Sequence, residues 1–132
     1  MDQVVLVVED DPTLAHAIAR NLSARGYTAC STMTVAEAMA TIAAATPGLV
    51  LLDIDLPDGS GWEVLRELRA TGGATVPAIV MSALRPNPRL CDEMGTVGVL
   101  EKPFPMESLL RLVARATGRA ARPAPAGAGA ER

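Results

Sequence analysis

The chain has 132 residues, of which 49% are apolar and 20% charged, as expected for one globular domain and not for a disordered chain. Its formal net charge is −3 and its aromatic content is 2%, so it lacks both a basic stripe for DNA phosphates and a stacking surface for single strands. We therefore expect no direct nucleic-acid binding by this chain.

The first element is an unbroken apolar run at residues 4–8. Such a run predicts a strand covered on both faces, as in a parallel sheet. Asp11 followed by Pro12 predicts the start of a helix, because the carboxylate caps free N–H groups and proline suits the first helical position. Gly26 predicts its end. One stripe of this helix faces the core: Leu14, Ile18 and Leu22.

The same strand–helix cycle then repeats along the chain. Residues 27–31 predict a weaker, more polar strand at a sheet edge. The other predicted strands cover residues 49–52, 78–81 and 97–100, and the other helices are marked by residues 35–42, 62–68 and 106–113. Five strands alternating with helices predict right-handed crossovers in a three-layer α/β/α sandwich. Residues 1–118 form the predicted domain, and residues 119–132 are a predicted disordered Ala/Pro/Gly tail or linker stub.

The two cysteines, Cys30 and Cys91, lack metal-binding spacing and predict reduced thiols in a cytosolic protein. No apolar run approaches the roughly 18 residues of a membrane span. The N-terminus lacks the basic segment of a signal peptide. We therefore expect a cytoplasmic protein without membrane insertion.

Polar side chains follow four of the predicted strands. Glu9 and Asp10 follow the first, Asp53 and Ser82 end two others, and Lys102 lies just beyond the last. Ligands of open parallel sheets bind at the carboxyl ends of the strands, where these residues meet. Crowded carboxylates favour a hard cation such as Mg²⁺, and a lysine and a hydroxyl suit a phosphoryl group. The pattern predicts a Mg²⁺-assisted phosphoryl site with Asp53 as nucleophile.

Four segments of the chain make it similar to a known family. They are Val-Val-Glu9-Asp10-Asp11-Pro12, Leu-Leu-Asp53-Ile-Asp55-Leu-Pro57-Asp58-Gly59-Ser-Gly61, Met81-Ser82-Ala83 and Glu101-Lys102-Pro103-Phe104. In this order and spacing they resemble the receiver domain of two-component response regulators, from Val4 to about Gly118. The resemblance implies a flavodoxin-like, doubly wound five-stranded parallel sheet of order 2-1-3-4-5.

The resemblance also implies a role for each site residue. Asp53 accepts a phosphoryl group from a phosphohistidine on a sensor histidine kinase or a histidine phosphotransfer protein. Mg²⁺ is bound by Glu9, Asp10 and Asp53, with help from the backbone carbonyl of Asp55. Lys102 pairs with the phosphoryl oxygens.

The switch is implied in the same way. Ser82 moves to hydrogen-bond the phosphoryl oxygen and so reports phosphorylation to the surface around the fourth helix. The bond from Lys102 to Pro103 is cis in the family and aims the lysine inward.

The sequence departs from the family pattern at two places. Val99 stands where the family usually has an aromatic residue that rotates inward as the serine engages. Pro86 and Pro88 lie where the fourth helix should begin, so we expect that helix to be short or displaced.

Some polar residues have simpler interpretations. Asp11 is expected to be a helix cap and Asp58, beside Gly59, a turn residue. The Asp55 side chain is expected to face the site entrance, and His16 to be a solvated surface residue. Solvated helix faces are expected for the arginines at positions 66, 69, 111, 115 and 119.

Three other functions compete with a phosphorylated switch. Asp53 and Asp55 also resemble the D-x-D motif of haloacid-dehalogenase-type phosphatases, but those enzymes need further acids downstream of their lysine. A flavodoxin-type carrier conflicts with the acids after the first strand, which would repel a flavin phosphate. A phosphorylation-independent interaction module remains an alternative because of Val99 and the prolines.

We therefore predict a signalling protein and not an enzyme with a diffusible product. It is expected to be a switch without an attached output domain that acts by protein contacts or by relaying phosphate onward, on a downstream target that the sequence does not name. Alternatively, the tail is expected to have once led to an effector that is absent here.

Overall fold

The computed structural model describes residues 4–118 and has seven strands and five helices in that range. The strands are β1 (Val4–Val8), β2 (Thr28–Thr32), β3 (Leu49–Asp53), β4 (Asp55–Leu56), β5 (Gly59–Ser60), β6 (Ala78–Ser82) and β7 (Thr96–Glu101). The helices are α1 (Pro12–Ala24), α2 (Val35–Ala44), α3 (Gly61–Ala70), α4 (Pro88–Met94) and α5 (Met106–Ala116). The predicted tail at residues 119–132 lies outside the described residues.

Five of the strands form one parallel sheet in the order β2-β1-β3-β6-β7. The predicted order 2-1-3-4-5 and the α/β/α class are therefore confirmed, with β2 at an edge as expected. The numbers of the last two strands differ because β4 and β5 form a separate antiparallel hairpin. This hairpin was not predicted, since strands of two residues are too short to carry a periodic pattern.

The core has two layers because successive strand residues point to opposite faces of the sheet. Val5 and Val7 belong to the cluster that packs against α1 and α5. Leu6 and Val8 belong to the cluster that packs against α2 and α3. The continuous apolar run at residues 4–8 thus serves both layers, as its composition predicted.

Proline and glycine set the ends of α4. Asn87 caps the helix by accepting a hydrogen bond from the N–H of Arg89, and Pro88 occupies the first turn. Gly95 ends it with a φ of +72°, a left-handed conformation that suits glycine. The helix has 7 residues, so the expectation of a short fourth helix is confirmed.

Arg69 was expected on a solvated helix face, and this prediction is wrong. Its half-buried guanidinium donates hydrogen bonds to four backbone carbonyls at 2.6–3.2 Å. They belong to Gly73, Val76, Met94 and Gly95. The planar group has five donors, which lets one side chain join the end of α3, the following loop and the end of α4.

The remaining general expectations concern thiols and membranes. Cys30 is half-buried and Cys91 buried, and both are free, as predicted. Among residues 4–118 we find no helix with the length and apolar character needed to cross a membrane.

Candidate functional site

The sheet register brings the strand-end residues together. The aligned pairs are Val8 with Leu52, Asp53 with Met81, and Ser82 with Glu101. Glu9, Asp53, Ser82 and Lys102 therefore lie along one edge of the sheet, where parallel strands end. The N–H of Lys102 donates to the carbonyl of Ser82 at 2.8 Å, which continues this alignment beyond β7. The Lys102–Pro103 peptide bond is cis, as expected.

Three carboxylates share this edge. Glu9, Asp10 and Asp53 each offer an oxygen within 4.8 Å of the others. Glu9 is fully buried, Asp53 is 3% exposed, and Asp10 faces solvent. The group thus has two carboxylates shielded from water and one at its mouth.

Lys102 supplies a positive charge to this group. Its Nζ lies 2.8 Å from Oε1 of Glu9 and 3.2 Å from Oδ2 of Asp53. The contact with Asp53 has the geometry of a hydrogen bond, whereas the closer contact with Glu9 is an ion pair without that geometry. The ammonium group therefore bridges the two buried carboxylates.

Burial dominates the titration of these carboxyl groups. It raises the pKa of Glu9, although Lys102 and the N–H of Asp11 act in the opposite direction. It also raises the pKa of Asp53, again against the charge of Lys102. Burial lowers the pKa of Lys102, but its contacts with the two carboxylates outweigh this effect, so that pKa lies above its usual value. The single ammonium group of Lys102 thus does not fully offset the effect of burial on the pKa values of Glu9 and Asp53.

The donor set fits a hard divalent cation. Oε1 of Glu9 is buried and accepts no hydrogen bond of regular geometry from the described residues. All three side chains offer oxygen, which Mg²⁺ prefers, and Asp10 is open to the water that this ion retains. These residues could therefore hold Mg²⁺.

Asp55 and Gly61 shape the chain around Asp53. The N–H of Asp55 donates to Oδ1 of Asp53 at 3.1 Å, while the residue itself is exposed. Gly61 begins α3 so close to β3 that a Cβ atom there would lie 2.2 Å from the carbonyl oxygen of Asp53. Its N–H donates to the carbonyl of Ile54 at 2.8 Å. The sequence indicated only a loop break at Gly61, but the structure requires glycine there for close packing.

The hydroxyl of Ser82 is bonded within its own loop. It donates to the carbonyl of Leu84 and accepts from the N–H of Leu84 at 3.3 Å. Ser82 is buried at the predicted edge, while the side chain of Leu84 is 81% exposed. Any new bond from this hydroxyl must therefore compete with its contacts to Leu84.

The interpretation of Asp58 as only a turn residue is wrong. Its Oδ1 accepts from the N–H of Val35 at 2.7 Å, and its Oδ2 accepts from the N–H of Ala36 at 3.0 Å. Asp11, in contrast, caps α1 as predicted, by accepting from the N–H of Thr13 at 3.0 Å. Asp58 was missed because its partners lie 22 and 23 positions away.

The surface near Val99 has an open depression. Val99 is half-buried and pairs with Val80 across the sheet. It lines a cavity of about 270 Å³ together with residues of α4, including Cys91. Val99 and α4 thus border the same open depression of the surface.

Comparison with known proteins agrees with the fold. Residues 5–114 match the response regulator receiver domain. The chain belongs to the receiver domain family of two-component response regulators, as the four sequence segments predicted.

Among curated proteins, it is 36% identical to the transcriptional regulatory protein KdpE of Mycobacterium tuberculosis over 118 residues, which are 88% of this chain and 51% of that protein. It is 36% identical to the response regulator MprA of Mycobacterium ulcerans over 108 residues, 80% of this chain and 46% of that protein. The chain thus spans about half the length of the curated relatives it matches.

Two solved structures show the same fold. The non-phosphorylated HemR receiver domain of Leptospira biflexa has a TM-score of 0.82 and 27% identity, covering 92% of this chain and 98% of that one. The receiver domain of the sensor histidine kinase PA1611 from Pseudomonas aeruginosa, solved with a magnesium ion coordinated in its active site cleft, has a TM-score of 0.74 and 31% identity. That match covers 89% of this chain and 99% of the other.

Proposed function

We propose that Asp53 accepts a phosphoryl group in a Mg²⁺-dependent reaction. The donor is a phosphohistidine on a sensor histidine kinase or a histidine phosphotransfer protein. The observation that carries the proposal is the environment of the Asp53 carboxylate, which accepts hydrogen bonds from Lys102 and from the N–H of Asp55 within a group of three carboxylates. The magnesium ion in the similar PA1611 receiver domain supports the same choice of metal.

In the proposed step, a carboxylate oxygen of Asp53 forms a bond to phosphorus as the phosphorus–nitrogen bond to histidine breaks. The imidazole leaves with the bonding electron pair, and later attack by water returns phosphate and the free carboxylate. Glu9, Asp10, Asp53 and the carbonyl of Asp55 would hold Mg²⁺, which would supply positive charge to the phosphoryl oxygens. Lys102 transfers its contact from Oδ2 of Asp53 to a phosphoryl oxygen.

The response to phosphorylation begins at Ser82. To donate to a phosphoryl oxygen, its hydroxyl must give up the bond to the carbonyl of Leu84. The loop before α4 then loses a hydrogen bond to the end of β6. The exposed side chain of Leu84 moves with this loop. Phosphorylation is thus converted into a change of surface that a protein partner can recognise. A role in signalling, and not in turnover of a diffusible substrate, is part of the proposal.

A phosphorylation-independent interaction module is the second candidate, and it is favoured by the valine at position 99 and by Pro86 and Pro88 around the start of α4. A haloacid-dehalogenase-type phosphatase is less well supported because the acids near Asp53 come from the end of β1 and not from positions after Lys102. Cytoplasmic location remains a prediction of the sequence.

The test is phosphorylation by a small acyl phosphate without a kinase. The protein is incubated with and without Mg²⁺, beside Asp53→Ala, and its intact mass is measured. We expect one added phosphoryl group that requires both Mg²⁺ and Asp53. If no adduct forms and a beryllofluoride mimic of the phosphoryl group also fails to bind, the phosphoacceptor function is wrong and the interaction module is favoured.

A further inference from the structure

Asp58 lies in the turn between β4 and β5, and its carboxylate bonds to α2. Its two oxygens accept from the N–H groups of Val35 and Ala36 at 2.7 and 3.0 Å. These groups belong to the first turn of α2, where backbone N–H groups have no partner within the helix. A single side chain therefore ties the hairpin to a helix that precedes it by more than 20 residues.

The N-terminus of α2 already has its own cap. The hydroxyl of Thr34 accepts from the N–H of Glu37 at 3.0 Å. The carboxylate of Glu37 accepts from the N–H of Met33 at 2.8 Å. The Glu37 carboxylate thus reaches back to the residue before the N-cap Thr34, which closes this helix end in a variant of the capping box. Thr34 leaves the N–H groups of Val35 and Ala36 to Asp58, so Asp58 both completes this helix end and links the hairpin to it.

The hairpin starts at the residue that contacts the phosphoacceptor. Asp55 pairs with Ser60 and Leu56 with Gly59, so the two strands form one small unit. The N–H of Asp55 donates to Oδ1 of Asp53 at 3.1 Å. A shift of the hairpin therefore moves the Asp55 peptide relative to Asp53.

We propose that Asp58 is a positioning residue for the metal and phosphoryl site, because it fixes the hairpin to α2 and so holds the backbone of Asp55 in its position beside Asp53. This inference rests on the proposed function, in which the carbonyl of Asp55 is a ligand of Mg²⁺. The two N–H groups of α2 lower the pKa of Asp58, so its carboxylate stays charged and bonded at neutral pH.

The experiment measures Mg²⁺ affinity by isothermal titration calorimetry at about pH 7.5 for the wild type, Asp58→Ala, Asp58→Asn and Glu37→Ala. Removing a group that orients a metal ligand commonly weakens affinity by 10- to 100-fold, so we expect D58A to bind about tenfold more weakly. D58N keeps an oxygen that accepts one N–H, and we expect it within about threefold of the wild type. E37A removes a charge and a bond at the same helix end without touching the hairpin, and we expect it to bind like the wild type.

The controls separate the alternatives. If D58N and E37A lose as much affinity as D58A, the effect comes from charge or from fraying of α2, and the inference is wrong. It is also wrong if D58A binds as tightly as the wild type. Asp58→Ser, whose shorter side chain cannot span both N–H groups, is expected to lose affinity in the same direction and replaces D58A if that variant does not fold. Failure of the wild type to bind Mg²⁺ would contradict the proposed function instead.

Discussion

Replacing Gly61 with alanine tests how tightly the chain packs around the phosphoacceptor. The new Cβ would lie 2.2 Å from the carbonyl oxygen of Asp53 and 3.1 Å from the Cα of Ile54. Relief requires the start of α3 and the end of β3 to separate by about 1 Å, because both sides of the contact are backbone in a close-packed interior. That separation also stretches the hydrogen bond from the N–H of Gly61 to Ile54.

The cost can be estimated from these contacts. Overpacking costs roughly 1–3 kcal/mol, and weakening the hydrogen bond adds about 1 kcal/mol. Alanine restricts the unfolded chain and returns about 0.5 kcal/mol, so we expect G61A to lose about 1.5–3.5 kcal/mol of unfolding free energy. We also expect slower phosphorylation, since the backbone of Asp53 is displaced.

Chemical unfolding and the acyl phosphate reaction measure both effects. Gly59→Ala is the matched control, because its Cβ would meet the flexible end of the Glu63 side chain at 3.0 Å and a Val35 methyl at 3.3 Å. We expect G59A to cost less than G61A. Equal stability and equal phosphorylation of G61A and the wild type would refute the close contact between α3 and β3.

Three further predictions concern the charged groups. Lys102→Ala leaves Glu9 and Asp53 without their ammonium partner, and in metal-free buffer we expect the unfolding free energy to fall by about 3 kcal/mol. This value is at the lower end of the range for breaking a buried ion pair, because the Lys102 side chain is 23% exposed. Added Mg²⁺ should stabilise K102A more than the wild type, as followed by thermal unfolding. Arg69→Ala removes the hydrogen bonds to four carbonyls and should lower the unfolding free energy, measured by chemical unfolding, by about 2–3 kcal/mol. Arg66→Ala, at an exposed position on the same helix, should lower it by less than about 0.5 kcal/mol. In metal-free buffer, Asp53→Asn should raise the thermal midpoint near pH 7.5, and this gain should shrink as the pH falls through the raised pKa of Asp53, where the wild type takes up the proton.

Each of these predictions has a result that would contradict it. Equal stabilisation of K102A and the wild type by Mg²⁺ would mean that the metal and the ammonium group do not act on the same carboxylates. Equal costs for the substitutions at positions 69 and 66 would remove the structural role of the guanidinium. A stabilisation by D53N that grows toward acid pH would mean that the pKa of Asp53 is lowered by folding and not raised.

The main features of the fold and the acidic group could be predicted because their signals are local. An apolar run followed at once by Glu9 and Asp10 specifies both a buried strand and the chemistry at its end. That Asp53 and Lys102 lie at the same end of the strands follows from the geometry of parallel sheets, whereas the strand order was implied by the resemblance to receiver domains. No contact between distant side chains had to be known.

The features that were missed depend on contacts between distant parts of the chain. Asp58 beside a glycine has the pattern of a turn, but its carboxylate bonds to α2. Arg69 has the spacing of a solvated helix face, but the loop after α3 and the end of α4 present carbonyls to it. The hydrogen-bond partners of Asp58 and Arg69 leave no periodic pattern in the sequence near either residue. Hydrophobic patterning therefore could not identify these contacts.

The most direct test of the proposed function is to locate the phosphoryl group. After reaction with an acyl phosphate in Mg²⁺, borohydride reduction converts a phosphorylated aspartate to homoserine, which peptide mass spectrometry assigns to a position. We predict homoserine at position 53 alone, and none when Mg²⁺ is removed before the reaction. Modification at Asp10 or Asp55, or labelling of Asp53 that does not depend on Mg²⁺, would contradict the account.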